Sequence, residues 1–146
     1  MTDERVGHET TSGLLSFLFY ELIQHPEVLK LAQEEVDRVI GTGKIAIEHL
    51  SKLPYLTATL RETLRLHATA PGFSMEPVSQ NPEDFPLYIG KERYKVYFGE
   101  TIMNVLARIH KDPLVFGEDA DAFKPERMVD EAVSYTHLTL PTKRIV

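Results

Sequence analysis

Residues 14–23 read Leu-Leu-Ser-Phe-Leu-Phe-Tyr-Glu-Leu-Ile. At helical spacing they leave almost no polar face, and a helix that is apolar all round is a buried one. The stretch is far short of a membrane span and holds Ser16 and Glu21. A helix is therefore predicted over residues 8–24, with apolar neighbours needed on every side.

The rest of the chain offers few such neighbours. Pro26 suits the first position of a second helix, where its missing N–H costs nothing. Val28, Ala32, Val36, Val39 and Ile40 make its amphipathic stripe, and Glu34 can pair with Arg38 one turn on. Gly41 and Gly43 end it. A third helix follows Ser51 and Pro54, with Leu53, Leu56, Leu60 and Leu64 on one face, and Pro71 and Gly72 stop it. The period then drops to two. Tyr94, Val96 and Phe98 alternate with Lys95 and Tyr97, Gly99 and Glu100 make a turn, and residues 101–107 supply a second strand. Together they predict a β-hairpin, and loops are expected beyond Pro113. The fold class is mainly α with a small β-hairpin sheet. Two amphipathic helices and a hairpin cover only part of the first helix, so the chain reads as the inside of something larger.

Composition excludes several chemistries. The chain carries a net charge of −6 and no Lys/Arg cluster, which speaks against nucleic acid as a partner. It has no cysteine, hence no disulfide, thiolate zinc site, iron–sulfur cluster or thiol nucleophile. Its six histidines show no i,i+3 or i,i+4 pair, and no metal site is expected from them. No secretory signal or membrane segment is read in the chain.

Three constellations could carry chemistry. Gly7, His8, Glu9, Thr10, Thr11 and Ser12 place an acid, hydroxyls and a glycine where a helix enters a core. Taken bare they are a capping segment, with Glu9 favoured by the helix dipole. Glu62 and Arg65 stand one turn apart, away from the leucine stripe, and bare they are a solvated surface pair. Pro125, Glu126, Arg127 and Met128 read bare as an exposed charged loop.

The order and spacing of these motifs say more than each alone. Gly-His-Glu-Thr-Thr-Ser (7–12), Glu62-x-x-Arg65, Ala70-Pro71, His110-Lys-Asp-Pro113 and Phe123-Lys-Pro-Glu-Arg-Met128 closely resemble the cytochrome P-450 monooxygenases. The wording of residues 7–17 and 69–74 is most similar to the self-sufficient fatty-acid hydroxylases, whose haem domain is fused to a flavin reductase. The resemblance implies a partial haem domain over residues 1–132. It implies Glu9 and Thr10 as catalytic residues that deliver protons at the distal face, with Gly7, Thr10 and Thr11 against the haem and the helix locally opened at Gly7. It implies Ala70, Pro71, Gly72 and Phe73 as lining of an apolar substrate pocket. Glu62, Arg65 and Arg127 would form a buried structural charge network. Haem, NADPH, FAD and FMN would be the cofactors of the parent enzyme, a reductase its partner and the cytoplasm its location.

Three departures shape the expected activity. The family's haem loop carries a cysteine after the Pro-Glu-Arg-Met segment, and none is present here. The first residues, 1–5, are charged, read as a loop and do not continue an apolar helix, and Val6 stands where the family has Ala. Residues 133–146 do not resemble the family and are expected to be a foreign tail that packs poorly. The chain is thus expected to be a fragment, inactive by itself and unable to hold haem tightly. The alternative is a non-catalytic helical interaction module or a misannotated or misfolded gene fragment; a third reading is an unrelated helical binding module with the motifs a coincidence.

Overall fold

Proline at the first helical position opens both amphipathic helices of the computed structural model. It describes residues 3–129, with side chains from His8 onward; the expected foreign tail, 133–146, lies outside the described residues. Helix α1 spans Asp3–Gln24, α2 Pro26–Val39, α3 Ile47–Leu50 and α4 Pro54–Leu66. Strands β1 (Gly72–Met75), β2 (Leu87–Ile89), β3 (Tyr94–Val96) and β4 (Ile102–Val105) follow, then the short helices α5 (Leu106–Ile109) and α6 (Pro113–Phe116) and a 3₁₀ turn at Pro125–Met128. Two units result. One contains α1–α4, α6 and the 3₁₀ turn; the other, Ala70–Leu106, contains the strands.

In the helical unit, Leu18 and Leu22 of α1, Val28 of α2, Leu66 of α4 and Phe123 form the core, with Leu29, Tyr55 and Leu60 packed against it. Neither α2 nor α4 begins with a side-chain cap of its own. The first turn of α4 is capped from a distance instead. Tyr55 N–H and Leu56 N–H donate to the two carboxylate oxygens of Glu35 on α2, at 3.0 and 2.9 Å. A buried carboxylate thus satisfies two free N–H groups at the positive end of the helix dipole. The buried threonines of α4 return their hydroxyls to carbonyls four residues back, Thr59 to Tyr55 and Thr63 to Thr59.

Four expectations need correction. First, α1 begins at Asp3, so residues 3–5 are helical and not a loop. The segment 7–12 lies inside the helix, neither capping it nor opening it at Gly7. Ser12 donates to Glu9 O within it, and Ser16 to Ser12 O just beyond. Second, α1 is not buried on every side. Leu18, Glu21 and Leu22 are buried, but Phe19 is 61% and Ile23 75% exposed, because α2 and α4 cover one side only. Third, α4 buries its polar face: Thr59, Glu62, Thr63 and Arg65 are inside, while Leu64 of the leucine stripe is exposed. Fourth, the strands at 94–96 and 102–105 do not pair with each other. β3 pairs with β2, Leu87 opposite Val96, and β4 pairs with β1, Gly72 opposite Val105. The β2–β3 hairpin turns through Gly90, Lys91 and Glu92, all at positive φ (61°, 56° and 64°), and residues 97–100 make a separate turn. Loop geometry, not strand propensity, chose the partners. On the wet side of α2, Glu34 stands 3.8 Å from Lys30.

Candidate functional site: a buried charge network and a hydroxyl-bearing helix

Helix α4 carries Glu62 and Arg65 one turn apart, fully buried at 0% and 2% exposure. Arg65 Nε donates to Glu62 Oε2 at 2.7 Å and Nη2 to Oε1 at 2.8 Å, a two-pronged pair. The remaining N–H groups reach backbone carbonyls of the late loops: Nη1 to His110 and Ala120, Nη2 to Ala122. A guanidinium has five N–H donors, and all five are used. Arg65 also lies 4.9 Å from the Phe116 ring centroid. One side chain therefore fixes residues 110–122 against α4.

The 3₁₀ turn joins the same cluster. Arg127 Nε donates to Glu62 Oε1 at 3.0 Å, its Nη2 lies 3.2 Å from Asp119 Oδ1, and Lys124 N–H donates to Glu62 Oε1 at 3.0 Å. Glu62 lies between Arg65 and Arg127, and Asp119, partly exposed at the rim, pairs with Arg127. Lys124 and Arg127 hold the Asp119 carboxyl below its ordinary 3.8. The structure brings Glu62, Arg65 and Arg127 together as a buried lock and not as a solvated pair or an exposed loop.

His110 sits beside this network with Nδ1 buried and unpartnered. Burial lowers its pKa below the ordinary 6.5; hydrogen bonding to the Arg65 and Leu64 backbone opposes this, and the Arg65 charge reinforces it. Tyr55 O–H donates to Glu126 Oε1 at 3.0 Å, and its pKa is pushed up to about 12, first by burial and then by that bond.

The hydroxyl segment lies on α1. Glu9 and Thr11 are exposed and Thr10 is half-buried. One turn later, a Cβ on Gly13 would stand 3.5 Å from the Thr69 methyl. In the strand unit, Gly72 and Phe73 belong to β1, and Phe73 is exposed. A Cβ on Gly72 would meet Asn104 O at 2.4 Å, so this register demands glycine.

Sequence reasoning missed a third cluster. Glu21 is buried on α1, with His67 Nε2 2.6 Å from Oε1 and His25 Nδ1 3.3 Å from Oε2. The Phe17 ring stacks on His67 at 4.5 Å and 5°. The one available signal was a lone acid in an apolar helix.

These features define a helical domain whose late loops are clamped to a Glu-x-x-Arg helix. The chain belongs to the cytochrome P450 family, whose model matches residues 6–140. It is 50% identical over 125 residues to a bifunctional cytochrome P450/NADPH–P450 reductase of Aspergillus oryzae, 86% of this chain and 11% of that protein. It is 52% identical to the bifunctional cytochrome P450/NADPH–P450 reductase ascE of Acremonium egyptiacum (86% and 12% covered). A self-sufficient cytochrome P450 monooxygenase, CYP505AG1 of Oidiodendron maius, is 54% identical (86% and 11% covered). The chain thus spans roughly one ninth of the length of these relatives.

The family implies haem. The chain has no cysteine, and among the described residues no group of His, Asp and Glu could hold a metal ion. With no cysteine, the chain supplies no thiolate for the iron. No helix among the described residues is long and apolar enough to cross a membrane.

Proposed function

We propose that this chain is a segment of the haem domain of a self-sufficient monooxygenase that hydroxylates fatty acids or similar apolar substrates. Electrons would come from NADPH through the FAD and FMN of a fused reductase, in the cytoplasm. The observation that carries the reading is the Glu62–Arg65–Arg127 lock, in a chain about half identical to P450/reductase fusions. Haem would be held through a thiolate that these residues do not provide and, when bound, would supply dioxygen activation.

The chain's own residues then have three tasks. Glu9, open to solvent, takes up protons, and the Thr10 hydroxyl holds and passes them inward. Gly7 and Thr11 flank that path against the cofactor. Ala70, Pro71, Gly72 and Phe73 line the apolar substrate pocket. Glu62, Arg65 and Arg127 keep the frame and touch no reactant.

The test is the full-length protein. Carbon monoxide binding to its reduced form should give a thiolate-type Soret band, and a fatty acid should be oxidised at the expense of NADPH. Thr10→Ala should lower product per NADPH severalfold. An unchanged yield refutes the proton role, and absence of NADPH-dependent oxidation of any acyl chain refutes the substrate class. A second reading, that the chain alone is non-catalytic, rests on its lack of cysteine and on the open apolar side of α1. Reconstitution of the 146 residues with haemin should yield no thiolate-type band; its appearance would overturn this.

A further inference from the structure

Helix α1 has no fixed rotation about its own axis unless something indexes it. Apolar packing gives little index, because its sides differ little in character. A directional contact from α1 to α4 in the buried cluster is the carboxylate of Glu21. His67 Nε2 lies 2.6 Å from its Oε1, within hydrogen-bond reach. His67 is the C-terminal cap of α4, held there by its own N–H on Thr63 O at 2.8 Å. Phe17, one turn before Glu21, stacks flat on the same imidazole, and Tyr20 meets it edge-on at 6.2 Å and 85°. His25, at the start of α2, closes the other carboxylate oxygen.

Thr10 precedes Glu21 by eleven residues. At about 100° per residue that is three turns and about 20°, so both project from the same face of α1. Whatever fixes the azimuth of Glu21 fixes that of Thr10.

We infer that Glu21, with His67 and Phe17, is the rotational index of α1 and sets the direction of the Thr10 hydroxyl. Glu21 and His67 are positioning residues for proton delivery, a role that rests on the function proposed above for Thr10. Sliding or turning of α1 by one residue would move Thr10 through about 100°, and proximity effects fall steeply with such misplacement.

The experiment uses the full-length holoenzyme and reads product per NADPH and peroxide per NADPH, with haem loading measured by the carbon monoxide spectrum. Glu21→Leu removes the index without stranding a charge. His67→Phe keeps the stack and deletes the bond, and serves if Glu21→Leu does not load haem. Glu21→Gln keeps an acceptor. The index predicts that Glu21→Leu and His67→Phe bring coupling to within about twofold of the Thr10→Ala value, with no further loss when combined with Thr10→Ala. It predicts that Glu21→Gln stays near wild type. Wild-type coupling in both disrupted variants, or a loss that adds in full to that of Thr10→Ala, overturns the inference. If Thr10→Ala itself couples normally, the proposed role of Thr10 fails first, and the two failures are told apart.

Discussion

Replacing Glu62 with Gln changes one oxygen to nitrogen, and the structure gives the consequence. Oε1 accepts three bonds, from Arg65 Nη2 (2.8 Å), Lys124 N (3.0 Å) and Arg127 Nε (3.0 Å), whereas Oε2 accepts one, from Arg65 Nε (2.7 Å). The amide will keep its oxygen at the busier position and turn its NH₂ toward the Arg65 Nε–H. One charge-assisted bond becomes a clash of donors, which costs about 1.5–3 kcal/mol. The larger effect is electrostatic: Arg65, 2% exposed, loses its counter-charge. Breaking a buried pair in this way costs about 3–5 kcal/mol, a large share of the ~5–15 kcal/mol that holds a domain together. With m near 2 kcal/mol/M, the urea midpoint of the chain, followed by far-UV circular dichroism, should fall by about 2 M. Arg127→Met should cost less, because Arg65 remains paired with Glu62. The double variant should fall short of additivity, because losing Arg127 relieves the excess positive charge. A midpoint shift below about 0.5 M for Glu62→Gln at unchanged m, or strict additivity, would show that the network carries no such energy.

Glu35→Ala should destabilise the chain by about 2 kcal/mol, since two N–H groups of α4 lose their acceptor, and Glu35→Gln by about half as much; equal urea midpoints would refute the distant cap. For His110, the folded pKa lies below 6.5, so the unfolded chain binds the proton first and stability falls as pH drops below about 6.5. Urea midpoints at pH 7.5 and 5.5 should differ less in His110→Gln than in wild type, and an identical pH slope would contradict the assignment. For Tyr55, the folded pKa near 12 lies above the ordinary 10.0, so its contribution is full below pH 10 and is lost as pH rises toward 12. Ultraviolet titration of wild type minus Tyr55→Phe should show phenolate only near pH 12; a difference already complete near pH 10 would refute the bond to Glu126.

The periodicity of α2, its Pro26 start and its glycine stop were all legible and the helix forms there, though Glu34 pairs with Lys30 rather than Arg38 and Glu35 turns inward. So were the presence of strands near 94–96 and 102–105 and the motif order that marks the family. These are local or linear properties: steric limits on φ and ψ, and residue spacing, act within a few positions. The partners of those strands were decided elsewhere, by three successive positive-φ residues at 90–92 and by the glycine at 72 that Asn104 O crowds.

The interior of α4 shows the division most sharply. Pattern alone assigned its leucines to the core and its Glu and Arg to water. The fold put Glu62 and Arg65 inside, because five guanidinium donors can reach one carboxylate and three loop carbonyls only once residues 110–122 return to the helix. Glu35 and Glu21 follow the same rule, each buried with partners 20 to 46 residues away. Sequence by itself marked the long helices α1, α2 and α4 and the strands β3 and β4, whereas β1, β2 and the short helices α3, α5 and α6, the last where loops were expected, appeared only in the fold. Tertiary structure decided which polar groups could be buried, since a charge enters a core only when distant parts of the chain arrive together to satisfy it.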